Sequence, residues 1–405
     1  MLLRLLNNMG DGQLDVTDPD GQWKVGHLKG TDSPKAHLRI GDTSVYPRLL
    51  FGGSIAAAET YADRMWSSED LTAVIRILAR NRSVGDALDG PLPRLARATD
   101  LLRHRWRANT VRQSQKNIHS HYDLGNEFFA AFLDSTLTYS CAVFPSAEST
   151  LEEASTHKID GICQSLKLSP KDEVIEIGTG WGSFCLHAAS HYGCRVTTTT
   201  ISEEQHRLAA TLVQKAGLSD RITLLQQDYR DLPRLGHRFS KLVSVEMIEA
   251  VGQRYIPQYL SVCNELLVPG GLGLVQAIVI NDQLLESYTR GVDFIQRYIF
   301  PGGFLPSVEL LRTLLDRHTN LSVVGLRDIT EHYPPTLRRW KSSLHSQWNH
   351  LRELGYPDRL LRLWDFYFCY SEAGFLERTI GDVQLLLRKE NTQSLDPANT
   401  VRSGA

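Results

Sequence analysis

The sequence predicts an α/β fold: a doubly wound, mostly parallel seven-stranded sheet preceded by a small N-terminal domain. Two observations carry this prediction. From about residue 150 onward, short apolar runs alternate with helix-length segments, the pattern of parallel strands joined by crossover helices. The first run, Val174-Ile175-Glu176-Ile177, leads straight into Gly178-Thr179-Gly180-Trp181-Gly182 and then a helical stretch from Ser183. A strand, a glycine turn and a helix start in that order form a crevice in which backbone approaches a nucleotide.

In chain order, residues 1 to about 110 read as the separate small domain. The apolar start, Met1-Leu2-Leu3-Arg4-Leu5-Leu6, turns polar at Asn7-Asn8, too soon for a secretory signal. Gly52-Gly53-Ser54 precedes a predicted helix over 55–66, and 71–78 recurs on a helical period. A basic segment follows: Arg94, Arg97, Arg103, Arg105, Arg107, Arg112 and Lys116, opposed only by Asp100 and interleaved with Leu92, Leu95, Leu101, Leu102 and Trp106. Two readings of it are open. It suits an anionic membrane surface, where each basic residue contributes roughly 1 kcal/mol, and it equally suits a solvated helix and linker.

Residues 111–390 carry the sheet. Strands are predicted at 174–177, 195–201, 222–225, 242–245 and 272–280, and the runs at 322–326 and 383–387 complete it. A long insertion, about 281–320, follows the fifth strand and contains Phe294, Tyr298, Phe300, Pro301 and Gly302-Gly303. A segment leaving a strand's carboxyl end lies over the ligand crevice, so this one is expected to cover the substrate. The polar tail over 391–405 is expected to be disordered.

Composition narrows the function classes. A formal net charge of −2 gives no overall case for nucleic acid, and the 42 % hydrophobic content fits a soluble globular chain. The six cysteines are scattered, without a Cys-x-x-Cys pair, so neither a disulfide framework nor a zinc site is expected and a reducing cytosol fits. The most apolar long window, 262–280, contains Glu265, Pro269 and several glycines. It reads as a helix end, a turn and a buried strand, so membrane contact is expected to be peripheral.

The crevice itself points to a ligand. A dinucleotide site wants an acid at the end of the second strand, but that strand ends Thr198-Thr199-Thr200-Ile201-Ser202, with acids only at Glu203 and Glu204. Glu176 instead stands two places before Gly-x-Gly-x-Gly, a pattern that suits S-adenosylmethionine. Thr200 and Gln205 offer polar groups to it, and Asp228-Tyr229, after the third strand, offer a carboxylate and a ring. Asp228 also reads as a helix N-cap. His119 and His121 lie two apart, yet no third ligand stands nearby, so they read as hydrogen-bonding histidines and no metal is expected.

Five motifs in order extend this reading: His121-Tyr122-Asp123-Leu124-Gly125-Asn126, Tyr139-Ser140-Cys141-Ala142, Glu176 to Gly182, Glu249-Ala250-Val251-Gly252, and Tyr298-Ile299-Phe300-Pro301-Gly302-Gly303. With them the chain closely resembles the cyclopropane-fatty-acyl-phospholipid synthases, which are class I S-adenosylmethionine-dependent methyltransferases. The resemblance spans about 45 to 390. It includes Gly53-Ser54 and Tyr61-Ala62-Asp63, which look like that family's small lipid-associated domain.

The resemblance implies methylene transfer from S-adenosylmethionine to the cis double bond of a phospholipid acyl chain. The π electrons attack the sulfonium methyl, a carbocation forms, a base removes a proton from the new methyl, and the ring closes. The implied base is a bicarbonate ion held by Cys141, Glu249, Gln276, Ile278 and Tyr333. The implied cofactor residues are Tyr139, Ser140, Gly178, Gly180, Gly182, Thr200, Gln205, Asp228 and Tyr229. A homodimer, cytoplasmic and peripheral at the inner membrane surface, is also implied. Read from the residues alone, Glu249 also suits a helix-start acid, Cys141 a small buried hydrophobe and Tyr333 a packing tyrosine.

Two departures from the family pattern stand out. Gln276 occupies a position where the best-known members have histidine, and glutamine donates hydrogen bonds but carries no charge. An anion beside Glu249 would then be less well compensated, which keeps as the alternative a methyltransferase that gives methyl- or methylene-branched acyl chains or acts on another lipid. Ser371 stands where the family often has cysteine before Glu-Ala-Gly-Phe, and Cys369 is out of register with it.

Overall fold

A computed structural model describes residues 6–81 and 124–391. The basic segment 94–116, the pair His119 and His121, and the tail beyond 391 lie outside the described residues. So does the expected boundary near residue 110.

The N-terminal unit contains a sheet that the sequence reading did not include. It is formed by β1 (Gly12–Asp18), β2 (Gly21–His27), β3 (Lys35–Ile40) and, after helix α1 (Val45–Ala62), β4 (Trp66–Ser68), in the order β2-β1-β3-β4. Asp18 makes the β1–β2 turn, its Oδ1 accepting from the N–H groups of Asp20 at 2.7 Å and Gly21 at 3.1 Å. Leu14, Val16, Leu38 and Ile40 point into the core. Helix α1 begins ten residues before the expected 55 and is broken at Gly53, whose φ of 53° and ψ of −141° are not helical. Trp66 belongs to β4. Helix α2 (Leu71–Arg80) starts at Asp70, whose side chain accepts from the Ala73 N–H at 2.8 Å.

After the short helix α3 (Asn126–Ala130), helix α4 (Leu151–Ser165) opens with a capping box made by Thr150 and Glu153. The alternation follows as β5 (Glu173–Ile177), α5 (Ser183–Tyr192), β6 (Arg195–Thr200), α6 (Glu203–Lys215), β7 (Ile222–Gln226), β8 (Phe239–Val245), α7 (Ile256–Leu266) and β9 (Leu267–Ile280). Helix α8 (Val308–His318), β10 (Leu321–Asp328), α9 (Tyr333–Ser346), α10 (Asp358–Leu376) and β11 (Ile380–Lys389) complete the chain.

All seven expected strands are present, in the order β10-β11-β9-β8-β5-β6-β7. The sheet is parallel except for β11, which runs antiparallel to both β9 and β10. Its two faces are separate cores. Ile175, Ile177 and Val275 pack with α7 and α8 on one side, and Val174, Val196 and Leu274 pack with α4, α5 and α6 on the other. The sheet is therefore doubly wound. The chain leaves β5 toward β6 and returns at β8 beside it, so the crevice opens at the carboxyl ends of β5 and β8. The segment expected as an insertion is shorter than read. It ends before α8, a regular repeat helix that packs against α7.

A third core joins the N-terminal unit to the sheet through α10. Tyr61 donates to Asp365 at 2.5 Å and Thr72 to Glu372 at 2.7 Å, while Arg76 and Arg80 both reach Glu377. Trp364 of α10 meets Phe128, Phe132 and Phe129 with ring centroids 4.9, 5.5 and 5.7 Å apart. These are tilted and edge-on contacts, which rings favour. Trp364→Ala is expected to destabilise the protein by about 3–5 kcal/mol in a urea denaturation experiment. An unchanged midpoint would show that this ring cluster does not stabilise the fold.

Candidate active site

The carboxyl ends of β5, β6, β8 and β9 open into one cavity of about 760 Å³. At its polar end lies the glycine turn. Gly178, Gly180 and Gly182 have φ of 100°, 53° and 99°, a region that side chains rarely adopt. A Cβ on Gly178 would also come within 3.2 Å of Met247. The turn is held by the N–H groups of Gly178 and Thr179, which both donate to the Thr199 carbonyl, at 3.1 and 3.0 Å. Thr200 donates to Gln205 at 2.8 Å, and Ser202 caps α6. Tyr139, Ser140, Thr200, Gln205, Asp228 and Tyr229 all line the cavity. Asp228 is also the N-cap of the turn 229–235 and is paired with Arg230 at 2.7 Å, so its structural role is real.

Several polar atoms here have no hydrogen-bond partner among the described residues: Glu176 Oε2, Gln227 Nε2 and the Tyr229 hydroxyl. All three residues line the cavity, and buried polar groups left unpaired ask for a ligand. Burial pushes the Glu176 carboxyl up to about 8, an arrangement that a cationic ligand would relieve. The open glycine turn, a hydroxyl-rich strand end and an unpaired acid fit an adenosyl-methionine. Gln227 was not singled out in the sequence; it lies one place before Asp228, and its chain position gave no cue.

Beyond the glycine turn, two carboxyls follow β8. Glu246 Oε1 accepts from the Cys141 N–H at 2.8 Å and from Gln276 Nε2 at 2.8 Å, and Glu246 Oε2 accepts from the Tyr333 hydroxyl at 2.7 Å. Gln276 uses its second N–H on Asp382 Oδ2 at 3.0 Å, and its carbonyl accepts from Gln384 at 3.1 Å. Glu249 Oε1 accepts from the Ile278 N–H, while Glu249 Oε2 has no partner among the described residues. Burial, then the charge of Glu246, pushes the Glu249 carboxyl up to about 8. Asp382 is raised well above the usual carboxylate range by burial and by Glu246.

The residues expected around a bicarbonate ion are thus brought together. Glu249, Ile278 and Tyr333 reach the cavity wall, and Cys141 and Gln276 stand behind it. Their donors, however, are engaged by the protein's own carboxyls: Cys141, Gln276 and Tyr333 by Glu246, and Ile278 by Glu249. A bicarbonate ion finds no free donor in this set, and the residues as placed do not fit it. Glu246 was missed in the sequence because it reads there as one more polar residue at a strand end. The Cys141 thiol is buried and raised well above its usual range; it is the Cys141 backbone N–H that reaches the site.

The remaining cavity wall is aromatic and apolar. Tyr139, Phe300, Tyr367, Phe366 and Tyr370 lead from the carboxyls toward Leu14, Val16, Leu38, Ile40 and Val74 of the N-terminal unit. Phe300 comes from the segment expected to cover the site, and Ser371 lies on the same wall. Among the described residues no helix is long and apolar enough to cross a membrane, and no group of His, Cys, Asp and Glu is arranged to hold a metal.

Comparison with known proteins agrees with this geometry. The family model described as mycolic acid cyclopropane synthetase matches residues 109–385. The tuberculostearic acid methyltransferase UfaA1 of Mycobacterium tuberculosis is 37 % identical over 345 residues, 84 % of this chain and 79 % of the relative. The cyclopropane-fatty-acyl-phospholipid synthase of Escherichia coli K12 is 31 % identical over 385 residues, 92 % and 94 % of the two chains. The solved structure of the mycolic acid cyclopropane synthase CmaA1 complexed with SAH and CTAB superposes with a TM-score of 0.63 at 26 % identity, covering 68 % of this chain and 98 % of that one.

The raised carboxyls set a pH dependence. Between about pH 4.5 and about pH 8 the folded protein keeps protons on Glu176 and Glu249 that the unfolded chain has lost. Their contribution to stability is therefore full below pH 4.5 and is lost as pH rises through 8. Thermal melts are expected to show a falling Tm across that window, with a shallower fall in Glu249→Gln. An equal fall in the variant would contradict the burial of this carboxyl.

Proposed function

The chain belongs to the mycolic acid cyclopropane synthetase family and is an S-adenosylmethionine-dependent methyltransferase, and from that premise we propose that it modifies the cis double bond of an unsaturated phospholipid acyl chain, closing a cyclopropane ring. The observation that supports this most is the continuity of the cavity. One space joins the polar glycine turn, the buried carboxyls, an aromatic wall and the apolar interior of the N-terminal unit. A polar cofactor and a long apolar chain meeting at an acid–base site match that sequence of surfaces.

On this reading Gly178, Gly180, Gly182, Thr200, Gln205, Asp228, Tyr229, Tyr139 and Ser140 hold the cofactor. When bound, S-adenosylmethionine supplies an electrophilic methyl group that the alkene accepts, leaving the acyl chain cationic. The residues around it do the rest. Phe300, Tyr139 and Tyr367 present rings whose faces favour positive charge. The apolar wall keeps out water that would otherwise trap the cation. On this reading the proton leaves beside the half-buried carboxyl of Glu246 and the buried carboxyl of Glu249. The same reading has the enzyme work as a homodimer, cytoplasmic and peripheral at the inner membrane surface, where it reaches phospholipid acyl chains.

A second reading, a methyl- or methylene-branched product, is favoured by Gln276 in place of histidine and by the likeness to a tuberculostearic acid methyltransferase. Purified protein given methyl-labelled S-adenosylmethionine and liposomes of cis-unsaturated phospholipid is expected to yield chains heavier by one CH₂ with cyclopropyl proton signals in NMR. Branched-methyl or methylene signals would establish the second reading, and unmodified chains despite cofactor binding would overturn the lipid reading. In calorimetry, Gly178→Val is expected to weaken cofactor binding by about tenfold or more, the equivalent of roughly 1.4 kcal/mol. Unaltered affinity would move the cofactor away from this turn.

A further inference from the structure

Glu246 stands where the chain was expected to need an added anion. Three hydrogen bonds converge on its carboxylate from three separate parts of the fold: the Cys141 N–H in the loop before α4, the Gln276 amide on β9 and the Tyr333 hydroxyl at the start of α9. All three groups donate, so they form a cradle for an acceptor. The amide of Gln276 is fixed in that sense, because its carbonyl takes the Gln384 N–H and its two N–H groups face two carboxyls. The backbone also carries a mark of constraint. Glu246 has φ of 47°, a left-handed conformation that strains a non-glycine residue, and such strain gathers at functional sites.

Bicarbonate would have to displace this side chain or join it. Joining would set a second anion beside the Glu246 carboxylate, a costly arrangement in a half-buried site. Lys158 is buried close by, but its ammonium is directed to Ser140 at 2.8 Å. Glu249 is not the better acceptor. With its carboxyl raised to about 8, it holds its own proton at neutral pH.

Resting on the reading of the reaction given above, we propose that Glu246 is the general base, its carboxylate occupying the donor cradle that the resemblance assigns to bicarbonate, so that turnover needs no bicarbonate. In the step it performs, a C–H bond of the cationic acyl chain breaks. The electron pair of that bond stays on carbon and forms the new ring bond, or a C=C bond if the product is branched. The proton passes to Glu246 Oε2. That oxygen already accepts from Tyr333, and Glu246 lines the cavity in which the chain would lie. After product leaves, the proton is lost to solvent through the open cavity. Gln276, Tyr333 and the Cys141 N–H are positioning groups that aim the carboxylate.

The test uses the full chain in two arms. In the first, binding of ¹³C-bicarbonate is followed by NMR. No saturable binding is expected for the unaltered protein, whereas Glu246→Gly, which relieves the strained φ and empties the cradle, is expected to bind it. Saturable binding to the unaltered protein would overturn the proposal. In the second arm, turnover on cis-unsaturated liposomes is compared in carbon dioxide-free and bicarbonate-containing buffer. Equal rates are expected for the unaltered protein. Glu246→Gln is expected to lose about 100-fold or more in kcat with cofactor affinity unchanged, and Glu246→Gly to regain part of its rate with added bicarbonate. Turnover that collapses without bicarbonate, or Glu246→Gln that retains its kcat, would overturn it. If the unaltered protein turns over no lipid, the substrate reading falls and the binding arm alone decides the assignment of the cradle.

Discussion

A carboxylate held at the carboxyl edge of a parallel sheet is the constraint around which the site is arranged. Glu246 follows β8 directly, and its side chain draws donors from the loop before α4, from β9 and from α9. A half-buried carboxylate deprived of such donors loses the partners that replace water around it. Those segments must therefore arrive in register, and they bring Glu249, Ile278 and Asp382 with them. The antiparallel strand β11 is part of this arrangement. It places Gln384 directly opposite Gln276 and Asp382 opposite Ile278, which lets one neutral amide serve two acids.

That pairing changes the meaning of Gln276. As a replacement for histidine it first appears as a lost positive charge. In the fold it is a two-donor bridge whose amide is satisfied on both sides. Charge is managed instead by protonation: Glu249 and Asp382 are both pushed upward by burial and by Glu246. Neutral carboxyls next to one hydrogen-bonded carboxylate avoid the repulsion that three buried anions would bring.

The N-terminal unit contributes to the same cavity through packing. Its sheet turns Leu14, Val16, Leu38 and Ile40 inward, and α1 and α2 dock on α10 through Tyr61, Thr72, Arg76 and Arg80. Helix α10 is the shared wall. Trp364 and Phe368 face the aromatic core, while Phe366, Tyr367 and Tyr370 line the cavity. An apolar space continuous across two units needs this rigid, ring-filled seam, because interiors packed at crystal-like density hold their shape.

The sequence alone determined the sheet and the glycine turn at its crevice. Apolar runs at crossover spacing, and glycines at alternate positions after the first, are local patterns. Their consequence depends only on period and backbone freedom, and so the seven strands, Gly178 to Gly182, Thr200 and Gln205 were legible. The four-stranded N-terminal sheet was not read, since its strands run only three to seven residues and no repeat announces them. Tertiary structure decided the carboxyl end. Glu246 is one glutamate among many until Cys141, Gln276 and Tyr333, separated from it by 105, 30 and 87 positions, meet its two oxygens. Hydrogen bonds over such separations leave no periodic trace in the chain; they exist only once the parallel sheet and its antiparallel edge have brought those segments together.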